Sequence, residues 1–223
     1  MREILQKIQV HLPFSLLREK MMPRVLGERI NPEIGFSYRD LDRFGEDDFR
    51  ETARQLSDSG LSVTFHAPFM DLRPGALDPL IRQVSRDRLR RVFDLVPWFR
   101  PRSVVCHTSF DEKYYTSTED QWLENSLETW RFLLDAIRGT GTVIALENVY
   151  ERDPNPLKRL LEALDSAQAR FCLDAGHANA FGRAPLELWI GALGEYLAEI
   201  HLHDNRGGAD EHLPIGEGDV PFR

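Results

Sequence analysis

The chain of 223 residues is poor in features that mark secreted or membrane proteins. It has two cysteines, Cys106 and Cys172, and each lies inside an apolar run. A disulfide framework is therefore not expected, and buried thiols are typical of a reducing compartment. No apolar run has the length of a membrane span, and the N-terminus lacks the apolar core of a secretion signal. The expected location is the cytoplasm, with no membrane partner.

Excess positive charge and glycine-rich phosphate loops are also lacking. The 28 lysines and arginines are outnumbered by 36 aspartates and glutamates, which gives a formal net charge of −8. Nucleic-acid-binding proteins usually present a basic face to the phosphates, so a nucleic-acid partner is not expected, although a local basic groove would be compatible with this average. No glycine-rich loop follows the first predicted strand, which argues against a nucleotide-binding fold.

The chain has a regular alternation of short apolar runs and longer amphipathic segments. Seven runs predict β-strands, at residues 8–12, 32–36, 62–65, 103–106, 142–146, 169–173 and 198–202. Helical spacing is seen in three of the segments between them, whose apolar residues are Ile81, Val84, Leu89, Val92, Phe93 and Val96, then Leu123, Leu127, Trp130, Leu134 and Ile137, then Leu157, Leu160, Leu161 and Leu164. Strands that alternate with helices predict an α/β fold with a parallel sheet.

The polar residues at the strand ends favour a barrel over a doubly wound sheet. At least five of the seven strands end in His, Asp or Glu, and a (β/α)8 TIM barrel builds its active site from the C-terminal ends of many strands. A doubly wound sheet concentrates its ligands at one switch point. We therefore expect one domain over residues 1–223, a TIM barrel that lacks its last helix and eighth strand.

Two carboxylates are the strongest candidates for function. Glu147 and Asp174 each close an apolar strand, and a buried carboxylate needs a metal, a cation or a catalytic role to offset its burial. His66, His107 and His201 occupy similar strand-end positions. Taken singly, His66 and His107 each fit a core residue bonded to the backbone better than a ligand. Taken together, these donors predict one shared metal site.

Further donors follow the last two strands. His177 lies three residues after Asp174, and His203 shares a strand face with His201, where it is expected to contact substrate or to orient a neighbour. Arg206 could hold an anionic or hydroxyl-rich substrate, with a surface salt bridge as the alternative. The remaining donor pair is Asp210 and His212. Mixed histidine and carboxylate ligands suit Zn²⁺ or Mn²⁺ and argue against a thiolate site.

Six segments carry a resemblance to a known superfamily. They are FHAPF (65–69), VVCHTSF (104–110), ALENV (145–149), LDAGHANAFG (173–182), EIHLHDNRG (199–207) and DEHLPIGEG (210–218). In this order they resemble the xylose-isomerase-like TIM-barrel superfamily, which holds sugar and sugar phosphate isomerases and epimerases and the apurinic endonucleases of the endonuclease IV type.

The resemblance implies two alternative ligand sets. In the single-metal epimerases Glu147, Asp174 and His201 would bind the ion, with a fourth Glu from an eighth strand that has no match here, and His177 and Arg206 would contact substrate oxygens. The endonuclease branch would hold three zinc ions, and its pattern maps onto His66, His107, Glu147, Asp174, His177, His201, Asp210 and His212.

Three functions follow as hypotheses. The first is a metal-dependent isomerase or epimerase of a small carbohydrate, in which Glu147 moves a proton beside a metal-polarised carbonyl. The second is a zinc-dependent phosphodiesterase of the endonuclease IV type. The third is a non-catalytic barrel. One to three divalent ions are expected, and the sequence leaves undecided whether the chain forms a homo-oligomer.

Overall fold

All seven predicted strands are present in the computed structural model, which describes residue 4 and residues 7–222. They are β1 Gln9–Pro13, β2 Asn31–Gly35, β3 Thr64–His66, β4 Ser103–His107, β5 Val143–Glu147, β6 Ala169–Asp174 and β7 Leu197–His201. Each lies within two residues of its predicted bounds. The prediction about a secretion signal involves residues 1–3, and the prediction about the end of the barrel involves residue 223. These residues lie outside the described ranges.

The strands form one parallel sheet in which each strand pairs with its neighbours in chain order, from β1 to β7. The sheet curls strongly, as contacts between side chains of β7 and those of β2 and β4 across the interior show. His201 of β7 lies 3.3 Å from Glu33 of β2, and Ser103 of β4 donates a hydrogen bond to Glu199 of β7. Among the described residues β1 and β7 do not pair. Within residues 7–222 the fold is therefore a TIM barrel without the eighth strand, as predicted.

Helices connect the strands and cover the outside of the sheet. They are Phe14–Leu16, continued by a π-helical stretch Leu17–Met21 and by Met22–Glu28, then Tyr38–Arg43, Glu46–Asp58, Pro79–Phe93, Val96–Phe99, Glu119–Ala136, Asn155–Leu164, Ala175–Ala180 and Leu186–Leu193. A 3₁₀ turn, Gly194–Tyr196, leads into β7. No helix in the described part of the chain combines the length and apolar character needed to cross a membrane.

The predicted apolar helix faces are buried to different extents. The four leucines of Asn155–Leu164 are all buried, as their spacing predicts. In Pro79–Phe93 the buried residues include Leu89 and Val92, whereas Ile81 and Val84 are exposed and line a cavity. The first turns of this helix therefore contribute apolar side chains to the wall of the cavity.

Small side chains fill the barrel interior beneath that end. Val105, Ala145 and Cys172 are fully buried and in contact with one another. Both cysteines are free and buried, and burial raises the pKa of both thiols. The expectation that they are core thiols without a disulfide is confirmed.

The segment after β7 folds back over the C-terminal ends of the strands. Asp204 and Leu213 exchange two backbone hydrogen bonds of 2.8 Å, and the buried Asp204 carboxylate accepts hydrogen bonds from the amides of Asn205, Gly216 and Val220 at 2.9–3.0 Å. A side chain at Gly218 would overlap this carboxylate. Asp204 thus ties together the loop that carries Asp210 and His212.

Replacement of Asp204 by alanine is expected to loosen this loop without unfolding the barrel. Three backbone amides would lose their acceptor, so amide hydrogen exchange and proteolysis within residues 205–222 should become faster, while the far-ultraviolet circular dichroism stays unchanged. Asp219→Ala, at an exposed aspartate of the same segment, is the matched control. Equal protection of the loop in the two variants would contradict the assignment.

Candidate metal centre

The last residues of five consecutive strands meet at one end of the barrel. His66, His107, Glu147, Asp174 and His201 close β3, β4, β5, β6 and β7 in turn. All five line an open cavity of about 1710 Å³, which is also lined by His177, His203, Asp210 and His212. The C-terminal ends of parallel strands lie at the same end of a barrel, and this geometry brings together residues far apart in sequence.

Glu147 lies at the centre of this group and is only 1% exposed. Its Oε2 atom is 2.9 Å from Nε2 of His107 and 3.3 Å from Nε2 of His66. Its Oε1 atom is 2.9 Å from Nδ1 of His201. Burial opposes ionisation, but His107 and His201 outweigh it and hold the pKa of the Glu147 carboxyl well below its ordinary value. The carboxylate therefore links two groups of histidines, one at each oxygen.

Backbone carbonyls orient two of the histidine rings. Nδ1 of His66 lies 2.9 Å from the carbonyl oxygen of Ala67, and Nδ1 of His177 lies 3.0 Å from that of Asn148. A carbonyl oxygen only accepts hydrogen bonds, so the Nδ1 atoms carry hydrogen and donate. An acceptor in this position behind a metal-binding histidine fixes the tautomer of the ring and leaves Nε2 free to bind.

This orientation tests whether the residues fit a cation. A neutral His66 that donates from Nδ1 directs the lone pair of Nε2 at a carboxylate oxygen of Glu147. Two lone pairs at this distance need a proton or a cation between them. The donor set of imidazole nitrogens and carboxylate oxygens is the set that zinc and manganese bind. The residues therefore fit a divalent metal.

Burial and neighbouring charges shift the pKa values of the histidines in opposite directions. Burial lowers the pKa of His107, and Glu147 does not fully compensate for it. For His66 burial is again the largest single influence, but the combined effect of Glu147 and Glu33 raises the pKa. The pKa of His201 is raised well above its ordinary value despite burial, because several acceptors and the Glu147 charge surround it.

Asp174 holds the next part of the site in place. Asn148 exchanges two hydrogen bonds of 2.9 Å with the backbone of Asp174, which joins the ends of β5 and β6. Oδ1 of Asp174 caps the helix Ala175–Ala180 by accepting the amide hydrogen of His177 at 2.7 Å. His203 lies 3.0 Å from the same carboxylate, and a side chain at Gly176 would overlap its ring. The DAGH segment is thus built to place Asp174 and two histidines together.

Asp210 and His212 complete the site at the mouth of the cavity. Oδ2 of Asp210 is 3.0 Å from Nε2 of His212 and 3.3 Å from Nε2 of His177. The rings of His203 and His212 stack with centroids 4.0 Å apart. The side chain of His212 is 64% exposed, so it can meet a ligand that enters the cavity.

Among the described residues, five overlapping sets of three side chains have candidate ligand atoms within 4.8 Å of one another. They are Glu33–His66–His201, His66–His107–Glu147, Glu147–Cys172–His201, Asp174–His177–His203 and His203–Asp210–His212. His203, expected to contact substrate or orient a neighbour, thus lies among the candidate ligands. Because the sets extend from the barrel interior to the mouth, the site has room for more than one cation.

Three buried residues in or beside the site escape the sequence prediction. Glu33 of β2 is 5% exposed, Glu151 accepts hydrogen bonds from Thr108 and the amide of Val149, and Cys172 lies beside Glu147 and His201. Burial raises the pKa of Glu151. The rule that a carboxylate within an apolar run needs a partner applies equally to Glu33 and would have identified it.

Arg206 is not brought to the cavity. It lies on the exposed loop after β7, where its guanidinium is 2.8 Å from Oε1 of Glu211 and its backbone amide donates to Oε2 of the same residue. This is the salt bridge that the sequence left as the alternative to substrate binding.

Sequence relatives include proteins of unknown and of assigned activity. An uncharacterized protein of Methanocaldococcus jannaschii is 29% identical over 174 residues, which are 73% of this chain and 58% of that protein. A probable endonuclease 4 of Mycobacterium ulcerans is 26% identical over 183 residues, which are 77% of this chain and 69% of that protein. The chain therefore spans less than two thirds of the length of the M. jannaschii relative.

Solved structures and a family model agree on the fold. A Thermus thermophilus protein, soaked with ZnCl₂, has a TM-score of 0.80 at 25% identity, covering 96% of this chain and 84% of that one. A D-tagatose 3-epimerase-like protein has a TM-score of 0.78 at 21% identity, covering 96% and 83%. A family model described as a xylose isomerase-like TIM barrel matches residues 32–223. The chain belongs to the xylose isomerase-like TIM-barrel family.

Proposed function

We propose that this chain is a multi-metal phosphodiesterase that hydrolyses a small-molecule phosphodiester. The observation that carries the proposal is the position of Glu147, whose two oxygens face different histidine groups, His66 with His107 on one side and His201 on the other. A carboxylate that can bridge two cations is typical of two-metal hydrolytic sites. A single-metal isomerase would use only one of these groups.

Three groups of side chains would each hold one cation of such a site. His66, His107 and Glu147 would hold an inner cation, Asp174 and His201 with Glu147 a second, and Asp210 with His177 and His212 one at the mouth. Bound divalent cations supply Lewis acidity, which stabilises negative charge on the attacking and leaving oxygens of an in-line displacement at phosphorus.

His212 is placed to present the outermost cation to a substrate. Asp210 orients its ring at 3.0 Å, and its exposure leaves it free to contact a substrate. In the overall step the oxygen of a water molecule bonds to phosphorus and the ester P–O bond breaks. The attacking water loses one proton and the leaving oxygen takes one, so the hydrolysis balances with water as the only second reactant.

The charge and the rim of the cavity favour a small substrate over a nucleic-acid duplex. The chain has a net charge of −8, which would repel a polyanion at long range. The rim carries exposed apolar and aromatic side chains, namely Phe69, Met70, Tyr114, Tyr150 and Ile215. Such a rim suits a phosphodiester whose organic part has an apolar or sugar-like face.

A metal-dependent sugar isomerase or epimerase is the second candidate. It is favoured by the convergence of Glu147, Asp174 and His201, with Nδ1 of His201 2.9 Å and 3.7 Å from the two carboxylates. In this function Glu147 would transfer the proton of the carbon that bears a hydroxyl and adjoins the carbonyl. We rank it second because it gives no role to His66, His107 and the Asp210–His212 pair.

An activity comparison separates the two candidates. The protein, loaded with Zn²⁺ or Mn²⁺, is expected to hydrolyse bis(p-nitrophenyl) phosphate and not to exchange the carbon-bound protons of ketoses with solvent. Glu147→Gln should lower kcat/KM by at least about 100-fold, as is usual when a group that acts in the transition state is removed. Glu151→Gln, a buried carboxyl beside the site, should stay within a few-fold of wild type. Ketose proton exchange without hydrolysis would favour the second candidate, and neither activity would favour a non-catalytic barrel.

The number of bound ions gives an independent test. Elemental analysis of the purified protein after zinc loading is expected to find more than one equivalent per chain. His107→Ala and His212→Ala should each lower the content by roughly one equivalent, because they remove ligands from different sets. A single equivalent that neither substitution affects would contradict a multi-metal site.

Zinc binding is expected to release protons and to strengthen as pH rises. The raised pKa values of His66 and His201 mean that the metal-free protein retains protons near neutral pH, and a cation must displace them before these nitrogens bind. Titration calorimetry in two buffers of different ionisation enthalpy would measure the release between about pH 6 and pH 8. His66→Asn should release fewer protons, and a buffer-independent heat for the wild type would contradict the expectation.

A further inference from the structure

Glu33 is a buried carboxylate of the cavity to which the proposed function gives no role. It lies on β2, in register with His11 of β1 and Thr64 of β3. Its Oε1 atom faces Nε2 of His201 at 3.3 Å. Both atoms are buried and neither makes a hydrogen bond among the described residues, because this contact is close but not aligned as a hydrogen bond. A buried carboxylate is costly unless it is paired, so the pairing with His201 requires an explanation.

The ring of His201 lies between two sets of carboxylates. Its Nδ1 atom is directed at Glu147 and Asp174, at 2.9 and 3.7 Å, whereas its Nε2 atom is directed at Glu33. A neutral imidazole that binds a cation through Nδ1 must carry its hydrogen on Nε2. That hydrogen needs an acceptor in a buried place, and Oε1 of Glu33, which itself lacks a hydrogen bond, lies 3.3 Å away.

We propose that Glu33 is a positioning residue, which accepts the Nε2 hydrogen of His201 and so holds Nδ1 toward Glu147 and Asp174. The proposal rests on the metal-binding part of the proposed function. A carboxylate behind a ligating histidine fixes its tautomer and orientation and raises its basicity, and loss of such a partner commonly weakens metal binding about 10- to 100-fold.

The surroundings of Glu33 fix the direction of its carboxylate. Its second oxygen, Oε2, lies 3.7 Å from Nδ1 of His11. A side chain at Gly35 would overlap the ring of His11, so a glycine is needed for that ring to lie across β2. One oxygen of Glu33 is directed at His11 on β1 and the other at His201 on β7. Glu33, on β2, therefore connects the two edge strands of the sheet.

A direct ligand role for Glu33 fits the contacts less well. Glu33, His66 and His201 are close enough to share a cation. However, Nδ1 of His66 donates to the carbonyl of Ala67, and its Nε2 atom is directed at Glu147. A cation shared by Glu33, His66 and His201 would compete with Glu147 for the Nε2 atom of His66. A hydrogen-bonding role for Glu33 leaves the contact between His66 and Glu147 intact.

The test compares Glu33→Leu, which removes the acceptor, with Glu33→Gln, which keeps an acceptor oxygen without the charge. Glu199→Gln is the matched control, because Glu199 is a second carboxylate of the barrel interior that bonds to Ser103 and not to His201. Zinc affinity is measured by competition with a chelator. The exchange of the His201 Nε2 hydrogen with water is measured by NMR, with His201→Asn as the assignment reference.

We expect Glu33→Leu to weaken zinc affinity about 10- to 100-fold and to accelerate exchange of the Nε2 hydrogen, with a smaller change of both in Glu33→Gln. Glu199→Gln should match wild type in both measurements. Unchanged exchange in Glu33→Leu overturns the proposal. Loss of a whole zinc equivalent, with the affinity of the remaining ions unchanged, also overturns it because Glu33 is then a ligand.

The exchange measurement separates this proposal from the proposed function. It is made on the metal-free protein as well, so a wild type that binds no zinc would refute the metal site while the contact between Glu33 and His201 is still tested. If Glu33→Leu does not fold, the isosteric Glu33→Gln carries the test, and wild-type exchange and zinc affinity in that variant overturn the proposal.

Discussion

The charge of the buried Glu147 carboxylate is the constraint on which the rest of the site depends. A carboxylate removed from water is stable only with compensating positive charge and hydrogen-bond donors. Histidines from β3, β4 and β7 supply both, at 2.9–3.3 Å from its two oxygens. The same arrangement that satisfies the carboxylate in the metal-free protein presents nitrogen and oxygen ligands to a cation. The contacts that stabilise the buried carboxylate are therefore the same contacts that form the candidate ligand set.

Around this centre, successive supports fix the donors before any ligand arrives. Backbone carbonyls of Ala67 and Asn148 orient two histidine rings, and the Asn148 side chain joins the ends of β5 and β6. Asp204 ties down the loop that carries the outermost donors. Preorganisation of this kind lowers the cost of ordering ligands when a metal binds. The cavity thus combines a rigid, charged floor with an apolar and aromatic rim that a substrate would meet first.

Residues such as Glu147 could be predicted because a local rule applies to them. A carboxylate that closes an apolar run must find a partner wherever the chain folds, so its importance is readable from its neighbours in sequence. Glu33 obeys the same rule, but it lies inside its strand and not at the end, and a prediction based on strand ends passed over it. Ile81 and Val84 have the spacing of a core-facing helix, yet they are exposed and line the cavity.

By itself the sequence determined the seven strands, their parallel arrangement and the identity of most of the candidate metal ligands, because period, turn residues and buried carboxylates are local properties. Only the tertiary structure decided which donors share a cation, that Glu147 links two groups, and that Arg206 pairs with Glu211 instead of facing the cavity. The distance between residues such as Glu33 and His201 depends on how far the sheet curls. That curvature is a property of the packed barrel as a whole, and no local pattern encodes it.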